Sequence, residues 1–527
     1  MWVEGTTVKF RINENVLVER GQLVKVEDKE QKFILRVYDF KPESLLTPAE
    51  IAMVSKKVEN GENPALYDKG LRLYDTALST IIAQIDKHGH VHGPTAVPSI
   101  FSIVETLEKR DLQLLHLDTG DLAIGYVRVG HKSSDIIVTL NGEKTIPHHI
   151  LVCGVTGAGK SNLGKVFAAS IMALEENKYS LVLFDCESEY LKGGGPGQLG
   201  LAHLPQAEDR LLYVASLVDR PTRIDMNLRI DGITVKRSIQ TYPLRVSIES
   251  LTPNDFTMTG EFTGPQEELL WMVYNLFKKN WIRTLLEMDT RNLYRRLNRL
   301  TSVTTLNVTK RKIKHMLGNR DIFVWECENF FFKDILNAVA RGKVILVDTP
   351  FATEGEEKLL SVAITRRIFN MYERMRKEFP DKWENLPYVL IMVEEAHRYL
   401  AKQSLTAGGE IRENIFSIIS KRGRKYRVGG LYITQMPGEL METVIRQTLT
   451  KIILPLPTKP DYLKVIQYSP YLDEAEQEIK TLDQGEALVV SPPSGIRFAV
   501  PVKIFSYEEL IEYIIEKEKY AQTNAYV

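Results

Sequence analysis

The stretch from residue 154 to residue 161 constrains the fold more than any other part of this 527-residue chain. It reads Gly-Val-Thr-Gly-Ala-Gly-Lys-Ser and fits the phosphate-binding pattern G-x-x-x-x-G-K-[ST]. The apolar run 150–153 before it predicts a buried strand, and the apolar spacing over 162–174 predicts a helix. In this context backbone N–H groups face phosphates at a helix N-terminus. The sequence therefore predicts an α/β fold with a P-loop, whose phosphate-binding residues are Gly154, Thr156, Gly157, Ala158, Gly159, Lys160, Ser161 and Asn162.

The side chains of this loop predict ATP and Mg²⁺ as ligands. We expect Lys160 to reach the β- and γ-phosphates and Ser161 to ligate Mg²⁺. A second motif supports this, because the apolar run 388–393 ends in Glu394 and Glu395. Such a strand delivers two carboxylates to a phosphate site. We expect Glu394 to hold Mg²⁺ and Glu395 to orient or deprotonate the attacking water.

Polar residues also follow two other predicted strands. The strand 180–185 ends in Asp185 and an acidic turn, 186–190, at the strand end where ligands of doubly wound sheets bind. The alternative for Asp185 is a helix cap or a turn cap. The strand 430–434 ends in Gln435, which is expected to sense the γ-phosphate. The basic stretch before it could supply an arginine to a neighbouring subunit's nucleotide, or form a charged helix end.

Composition excludes several classes of protein. Lys plus Arg and Asp plus Glu both total 68, so any basic surface must be local. Three cysteines cannot form a disulfide framework, which favours a reducing, cytoplasmic environment. No window approaches the length of apolar sequence that spans a bilayer, so we expect no direct membrane insertion.

The region before the P-loop predicts a small β-barrel. Alternating apolar residues indicate strands at 7–10, 16–18, 23–26 and 33–37, and strands at 123–129 and 135–140 are expected to close the barrel. Thr47 and Pro48 predict a helix start with a capping box at Glu50, and a second helix is predicted over 66–87.

Helical patterns dominate 250–340 and recur at 356–377 and 507–520. From Lys278 to Arg320 there are twelve Lys or Arg residues against two acids, Glu287 and Asp289. This bias fits either a solvated helical face or a surface that faces DNA or a partner. The predicted domains are an N-terminal β-barrel (1–145), the first part of the core (146–249), a helical insertion (250–340), the second part of the core (341–500) and a C-terminal extension (501–527).

Taken together, the motifs resemble the HerA branch of the HerA–FtsK superfamily. The resemblance lies in 154–162, 184–190, 393–397 and 423–437, and is most specific at Glu394-Glu395-Ala396-His397 and Gly423-Arg424-Lys425-Tyr426. It implies a RecA-like core with a helical insertion, an N-terminal β-barrel and a C-terminal extension that braces the next subunit. It further implies a homohexameric ring with ATP at the interfaces, double-stranded DNA in the channel and a NurA-type nuclease as partner. By this likeness Arg424 is the arginine acting in trans and Gln435 the sensor.

The chain departs from the family pattern at three places. His148-His149 stands where Arg-His is usual, Glu187-Ser188 replaces His-Gly, and Lys421-Arg422 replaces Arg-Glu, which makes Arg422 a rival to Arg424. These differences indicate a divergent member.

Three functions fit the sequence. The first is an ATP-driven translocase or helicase on double-stranded DNA that acts in end processing and recombinational repair. The second is a VirB4-like DNA-transfer pump docked on a membrane complex. The third is a nucleotide-gated scaffold for a nuclease or defence effector. DNA-stimulated ATP hydrolysis separates the first two from the third.

Overall fold

A computed structural model describes residues 2–13, 15–62, 72–195, 197–230, 233–318, 321–325, 327, 330–407, 409–512 and 514. Within these residues the chain forms a seven-stranded sheet, a thirteen-stranded mixed sheet and two small two-stranded sheets. The elements of the N-terminal region are β1 (Trp2–Glu4), β2 (Thr7–Arg11), β3 (Leu23–Asp28), β4 (Gln31–Ser44), α1 (Pro48–Glu59), β5 (Leu73–Ile85), β6 (Val91–His92), β7 (Val104–Thr106) and α2 (Lys109–Leu114).

The central part of the chain builds one half of the large sheet and a helical layer. Its elements are β8 (Leu122–Val129), β9 (Lys132–Leu140), α3 (Gly142–Thr145), β10 (Ile150–Cys153), α4 (Lys160–Met172), β11 (Tyr179–Asp185), α5 (Ala207–Arg210), β12 (Leu211–Ala215), β13 (Thr222–Ile230), β14 (Ile233–Pro243), β15 (Val246–Ser247), α6 (Pro253–Thr257), α7 (Gly264–Phe277), α8 (Trp281–Glu287), α9 (Thr290–Arg296), α10 (Val303–Leu317), β16 (Phe323–Val324) and α11 (Phe331–Ala340).

The last part of the chain completes the large sheet. Its elements are β17 (Val344–Asp348), α12 (Glu354–Glu378), α13 (Pro380–Glu384), β18 (Tyr388–Val393), α14 (His397–Leu400), β19 (Thr406–Ala407), β20 (Glu410–Ile411), α15 (Ile415–Arg422), β21 (Val428–Thr434), α16 (Glu442–Gln447), β22 (Thr450–Ile453), α17 (Lys459–Gln467), α18 (Glu476–Thr481), β23 (Glu486–Ser491) and β24 (Ile496–Ile504). Residues 507–512 are helical, and the end of the predicted helix, 515–520, lies outside the described residues.

The large sheet confirms the predicted α/β class. Its strand order is β13-β14-β12-β17-β11-β18-β21-β10-β22-β23-β24-β8-β9, and the strands from β14 to β22 are parallel. Alternate residues of each central strand enter different cores. On β10, Ile150 and Val152 pack with α4, whereas Leu151 and Cys153 face the core that contains α7, α10 and α12. Helices therefore cover both faces, which explains why these strands read as continuous apolar runs.

The N-terminal sheet differs from the predicted barrel. Its order is β1-β2-β5-β4-β3-β7, with β6 beside β5, and its two edge strands do not pair with each other in the described part of the chain. The strands expected to close it, β8 and β9, instead join the large sheet, because β8 pairs with β24 from the far end of the chain. This long-range pairing has no local signal in the sequence.

Two local predictions in this region were also wrong. The helix predicted over 66–87 is strand β5 from Leu73 onward, where its pairing with the long strand β4 overrides helical spacing, and 63–71 lies outside the described residues. The predicted strand 16–18 forms no strand, and Leu17 is 81% exposed with no ladder to join. Helix α1 begins as predicted, with both bonds of the Thr47–Glu50 capping box in place.

Candidate functional site

The P-loop joins β10 to α4 as the sequence predicts. Gly157 and Gly159 have φ angles of +79° and +102°, which side chains other than glycine rarely adopt, and α4 begins at Lys160. At Gly154 the reason for glycine is steric, since an added Cβ would lie 2.7 Å from Leu454 Cβ. The loop therefore presents backbone N–H groups at the start of a thirteen-residue helix, a favourable site for an anion.

The side chains of the loop have different surroundings. Lys160 Nζ donates to the Val155 carbonyl at 2.9 Å, and burial lowers the Lys160 pKa while Glu395 and Glu394 act in the opposite direction. Thr156 Oγ1 donates to Gln435 Oε1 at 2.6 Å, which brings the predicted sensor to the loop. Ser161 lines the same cleft.

Two residues of the loop also hold the C-terminal part of the chain. The Ala158 carbonyl accepts from Gly485 N at 3.3 Å. Asn162 Nδ2 donates to the Phe505 carbonyl at 2.8 Å, and Asn162 Oδ1 accepts from Tyr507 N at 2.9 Å. The Asn162 side chain thus fixes residues 505–507 beside the cleft.

Glu394 and Glu395 follow β18 at the edge where the P-loop lies. Glu394 Oε1 accepts from the Tyr190 hydroxyl at 2.5 Å, and burial raises the Glu394 pKa to about 7. Glu395 has a φ angle of +45°, a left-handed conformation that costs on the order of 1 kcal/mol outside glycine. Its Oε2 atom is buried without a hydrogen-bond donor among the described residues, and His397 Nδ1 lies 3.3 Å away outside bonding geometry.

Asp185 organises the acidic turn. Its carboxylate accepts from the backbone N–H groups of Glu187 and Glu189 at 3.2 Å and of Tyr190 at 2.9 Å. The geometry favours the turn-cap interpretation of Asp185. The acidic turn also positions the Tyr190 hydroxyl, which contacts Glu394. The same hydroxyl lies close to Gly164 of α4, since a Cβ added at Gly164 would be 2.5 Å from the hydroxyl oxygen.

Tyr190 is a residue that sequence reasoning missed. It lies in the segment 184–190 that carries the family resemblance, but the sequence assigned it no role. The available signal was a single aromatic residue at the end of an acidic turn after a core strand. That signal cannot identify the acceptor of its hydroxyl, because Glu394 lies on another strand.

The P-loop and the two carboxylates after β18 share one cleft of about 1040 Å³. Its walls include Lys160, Ser161, Glu394, Glu395 and Gln435, together with residues 503–509 from the C-terminal segment. The oxygen atoms of the cleft suit Mg²⁺, which prefers oxygen ligands. Glu395 Oε2 accepts no hydrogen bond from the described residues, and a cation or a bound water would compensate its burial. Ser161 and Glu394 would hold the metal, and Glu395 would face the water beside it.

Comparisons with known proteins point to one family. Residues 122–368 match the family described as "Helicase HerA, central domain". The chain is 23% identical over 540 aligned positions to the DNA double-strand break repair helicase HerA of Pyrococcus furiosus, covering 96% of this chain and 91% of that protein. A protein of the same name from Saccharolobus solfataricus is 24% identical over 80% of this chain and 76% of its own length.

The central part of this chain, residues 122–368, is therefore HerA-like. Among solved structures, the plasmid coupling protein TrwB in complex with ADP and Mg²⁺ aligns with a TM-score of 0.46 and 12% identity, over 70% of this chain and 87% of that one. No described helix combines the length and the apolarity needed to cross a lipid bilayer.

The two candidate arginines of the HerA-like turn differ in their contacts. Arg422 donates to Glu373 Oε1 at 2.9 Å and packs over the Tyr426 ring at 5.9 Å. Arg424 is exposed in the single 3₁₀ turn Gly423–Tyr426 and has no ion pair in the described part of the chain. The geometry therefore leaves Arg424, rather than Arg422, available to another subunit.

Arg424 lies near the N-terminal end of β21, at the opposite end of the strands from the P-loop of its own subunit. The turn precedes β21, and β21 runs parallel to β10, whose C-terminal end leads into the P-loop. The seven residues of β21 span roughly 20 Å at ~3.3 Å per residue. Arg424 does not line the cleft of its own subunit.

His149 links this turn to the P-loop strand of the HerA-like core. It precedes β10, is 2% exposed, and its Nδ1 accepts from Gly430 N at 3.1 Å. An added Cβ at Gly423 would lie 3.2 Å from the His149 ring. Burial lowers the His149 pKa to about 3, so the ring is neutral. The preceding residue, His148, bonds to a different segment, because its Nδ1 donates to the Lys144 carbonyl at 2.6 Å.

Proposed function

We propose that this HerA-like protein is an ATP-driven, Mg²⁺-dependent translocase or helicase on double-stranded DNA. It assembles as a homohexamer and acts with a NurA-type nuclease in DNA-end processing and recombinational repair. The observation that carries the proposal is the single cleft in which a complete P-loop, two carboxylates and Gln435 meet. The names of its relatives, which are DNA double-strand break repair helicases, support the assignment to DNA.

Each residue of the cleft has a role in the proposed reaction. Lys160 and the loop N–H groups offset the charge of the phosphates, and Glu395 orients the attacking water and accepts its proton. Glu394 and Ser161 would hold Mg²⁺, which when bound neutralises charge on phosphate oxygens. Gln435 reports the state of the phosphate site through its bond to Thr156.

Arg424 completes the site of a neighbouring subunit. A guanidinium at the γ-phosphate can raise the rate by ~10³–10⁵. Its exposure, its position away from its own cleft and the absence of an ion pair with any described residue all favour action in trans. This role requires a neighbouring subunit, and the family resemblance implies that the subunits form a homohexameric ring.

The test is ATP hydrolysis with and without linear duplex DNA. We expect DNA to stimulate wild-type hydrolysis, and we expect Lys160→Ala to lose about 10²–10³ in rate, the cost of removing one group that stabilises developing charge. The control is Lys192→Ala, because Lys192 is exposed and does not line the cleft. Hydrolysis by Lys160→Ala at the wild-type rate would refute the site, and wild-type hydrolysis that duplex DNA does not stimulate would favour the nucleotide-gated scaffold.

A further inference from the structure

Helices α8 to α10 and the turn before them carry a group of exposed cations that the nucleotide cleft does not use. We define the basic surface as the eight exposed members of the run: Lys278, Lys279, Arg291, Arg295, Arg296, Arg299, Arg311 and Lys314. None of these residues lines the cleft. Three other cations of the run serve the fold instead, and Arg320 lies outside the described residues.

The three other cations are partly buried and contact side chains or carbonyl groups of the fold. Arg283 packs over the Trp325 ring at 4.9 Å. Lys310 Nζ donates to the Met288 carbonyl at 2.6 Å, and Lys312 Nζ donates to Gln266 Oε1 at 3.0 Å. The other eight cations are exposed, and of these Lys278 Nζ lies 5.8 Å from the centre of the Tyr274 ring.

The basic surface has no acidic partners of its own. In the described part of the chain none of its eight residues forms an ion pair, and of the two nearby acids Asp289 is occupied in capping α9. Some cations on other helices pair with an acid four residues away, as in Arg374–Glu378 and Lys480–Glu476, both at 2.6 Å. Like charges at this spacing destabilise a helix. An external anion bound at the basic surface would offset this repulsion.

One contact between α9 and α10 brings cations of the two helices near each other. Thr290 Oγ1 donates to Asn307 Oδ1 at 3.0 Å, which ties the start of α9 to α10. Arg291 follows Thr290, and Arg311 lies one helical turn after Asn307. Arg291 and Arg311 therefore lie near the same contact between the two helices.

The chemistry of the surface fits a phosphate backbone. Interfaces with DNA are much more positively charged than interfaces between proteins, and their cations contact phosphates without reading sequence. On α9, α10 and their connection the exposed large apolar side chains are Leu300 and Val303, and neither has a ring on which an unpaired base could stack. This composition favours duplex DNA over a single strand.

We propose that the basic surface binds the backbone of double-stranded DNA, as a contact on the helical insertion that is separate from the nucleotide cleft. This inference rests on the proposed function only in taking duplex DNA as the ligand. It predicts that the insertion contributes several phosphate contacts to the salt dependence of binding.

The chain supplies a matched pair of variants. Arg295 and Arg296 are adjacent exposed cations in the last turn of α9, and Lys56 and Lys57 are adjacent exposed cations in the last turn of α1. We would measure the affinity of the full chain for a labelled linear duplex across a salt series, for wild type, Arg295→Gln/Arg296→Gln and Lys56→Gln/Lys57→Gln. The plot of log K against log salt has a negative slope, and each lost phosphate contact reduces its magnitude by ~0.9.

We expect the magnitude of the slope for Arg295→Gln/Arg296→Gln to decrease by roughly 1.8, while the α1 variant keeps the wild-type slope. Both variants should keep the wild-type rate of ATP hydrolysis measured without DNA. Arg311→Gln/Lys314→Gln on α10 should repeat the loss and replaces the first variant if that one does not fold. Equal slopes in wild type and all variants would overturn the inference and assign the surface to an acidic protein partner. If wild type binds no duplex at all, the proposed function itself fails, which is a distinguishable result.

Discussion

Removing the Tyr190 hydroxyl tests how the site holds Glu394, the carboxylate that we propose as a metal ligand. The Tyr190 ring is fully buried, and its hydroxyl donates to Glu394 Oε1 at 2.5 Å. Tyr190→Phe therefore deletes one hydrogen bond and leaves the packing of the ring in place. A hydrogen bond to a charged group contributes about 1.5–3 kcal/mol, which corresponds to roughly 10–150-fold in an equilibrium constant.

The direction of the effect follows from the pKa of Glu394. Burial raises this pKa to about 7, and the bond from Tyr190 opposes the rise because it stabilises the carboxylate. Without the hydroxyl the pKa rises further, so a smaller fraction of Glu394 is ionised near neutral pH and able to bind a cation. We expect the Mg²⁺ concentration for half-maximal ATP hydrolysis to increase about 10–100-fold, as is typical when a group that supports a metal ligand is removed.

The assay is ATP hydrolysis as a function of Mg²⁺ concentration at saturating ATP. The control is Tyr372→Phe, because Tyr372 is equally buried and its hydroxyl donates to the Pro387 carbonyl at 2.7 Å. That variant should keep the wild-type Mg²⁺ dependence. A Tyr190→Phe protein with unchanged Mg²⁺ dependence would refute the role of the hydroxyl, and a loss that Mg²⁺ cannot reverse would place its role elsewhere.

Three further predictions concern neighbouring groups. Glu395→Gln should hydrolyse ATP ~10²–10⁴ times more slowly while it still binds nucleotide, whereas Glu394→Gln should shift the Mg²⁺ requirement; the reverse pattern, read from binding and rate together, would exchange their roles. His149 has a folded pKa of about 3 against an ordinary value of 6.5, so its neutral form stabilises the fold above pH 6.5 and this stability is lost as pH falls, by about 1.4 kcal/mol per unit. The melting temperature of wild type should therefore fall faster than that of His149→Asn between pH 6.5 and pH 5, and parallel curves would contradict the buried neutral ring. Arg422→Ala should keep hydrolysis, because Arg422 is paired with Glu373 in its own subunit, and a severe loss of rate would make Arg422 the acting arginine.

The sequence was sufficient for elements whose signals are local. The P-loop strand, the helix after it and the strand that ends at Val393 are buried on both faces or amphipathic, so their apolar patterns identify them. Helix α12 was predicted as 356–377 and spans Glu354–Glu378, since its apolar stripe and its acidic first turn both lie within the helix. The glycines of the loop were also informative, because Gly157 and Gly159 occupy positive φ angles that the path of the loop itself requires.

Long-range pairing defeated the other predictions. Strands β8 and β9 have the same alternating pattern as the strands of the N-terminal sheet, and only their pairing with β24 assigns them to the core. Strand β5 has apolar residues at spacings that also fit a helix, and the long strand β4 decides its conformation. In both cases the partner lies far along the chain, where a window of sequence carries no information about it.

The candidate site divides in the same way. Motif residues were found because each motif is contiguous, whereas the contacts that tune them cross between strands. The bond from Tyr190 to Glu394, the bond from Thr156 to Gln435 and the contact of His149 with the Arg424 turn each join distant segments. The ranking of Arg424 over Arg422 likewise depended on finding the partner of Arg422 on α12.

The central claim is that Arg424 completes the nucleotide site of a neighbouring subunit, and mixing two inactive proteins tests it most directly. Arg424→Ala keeps an intact P-loop, and Lys160→Ala keeps an intact arginine, so each alone should bind DNA but hydrolyse almost no ATP. After the subunits are mixed, some interfaces join the intact P-loop of one variant to the intact arginine of the other, and we predict that hydrolysis returns there. A mixture that stays as inactive as its components, or an Arg424→Ala protein that is fully active alone, would contradict the claim.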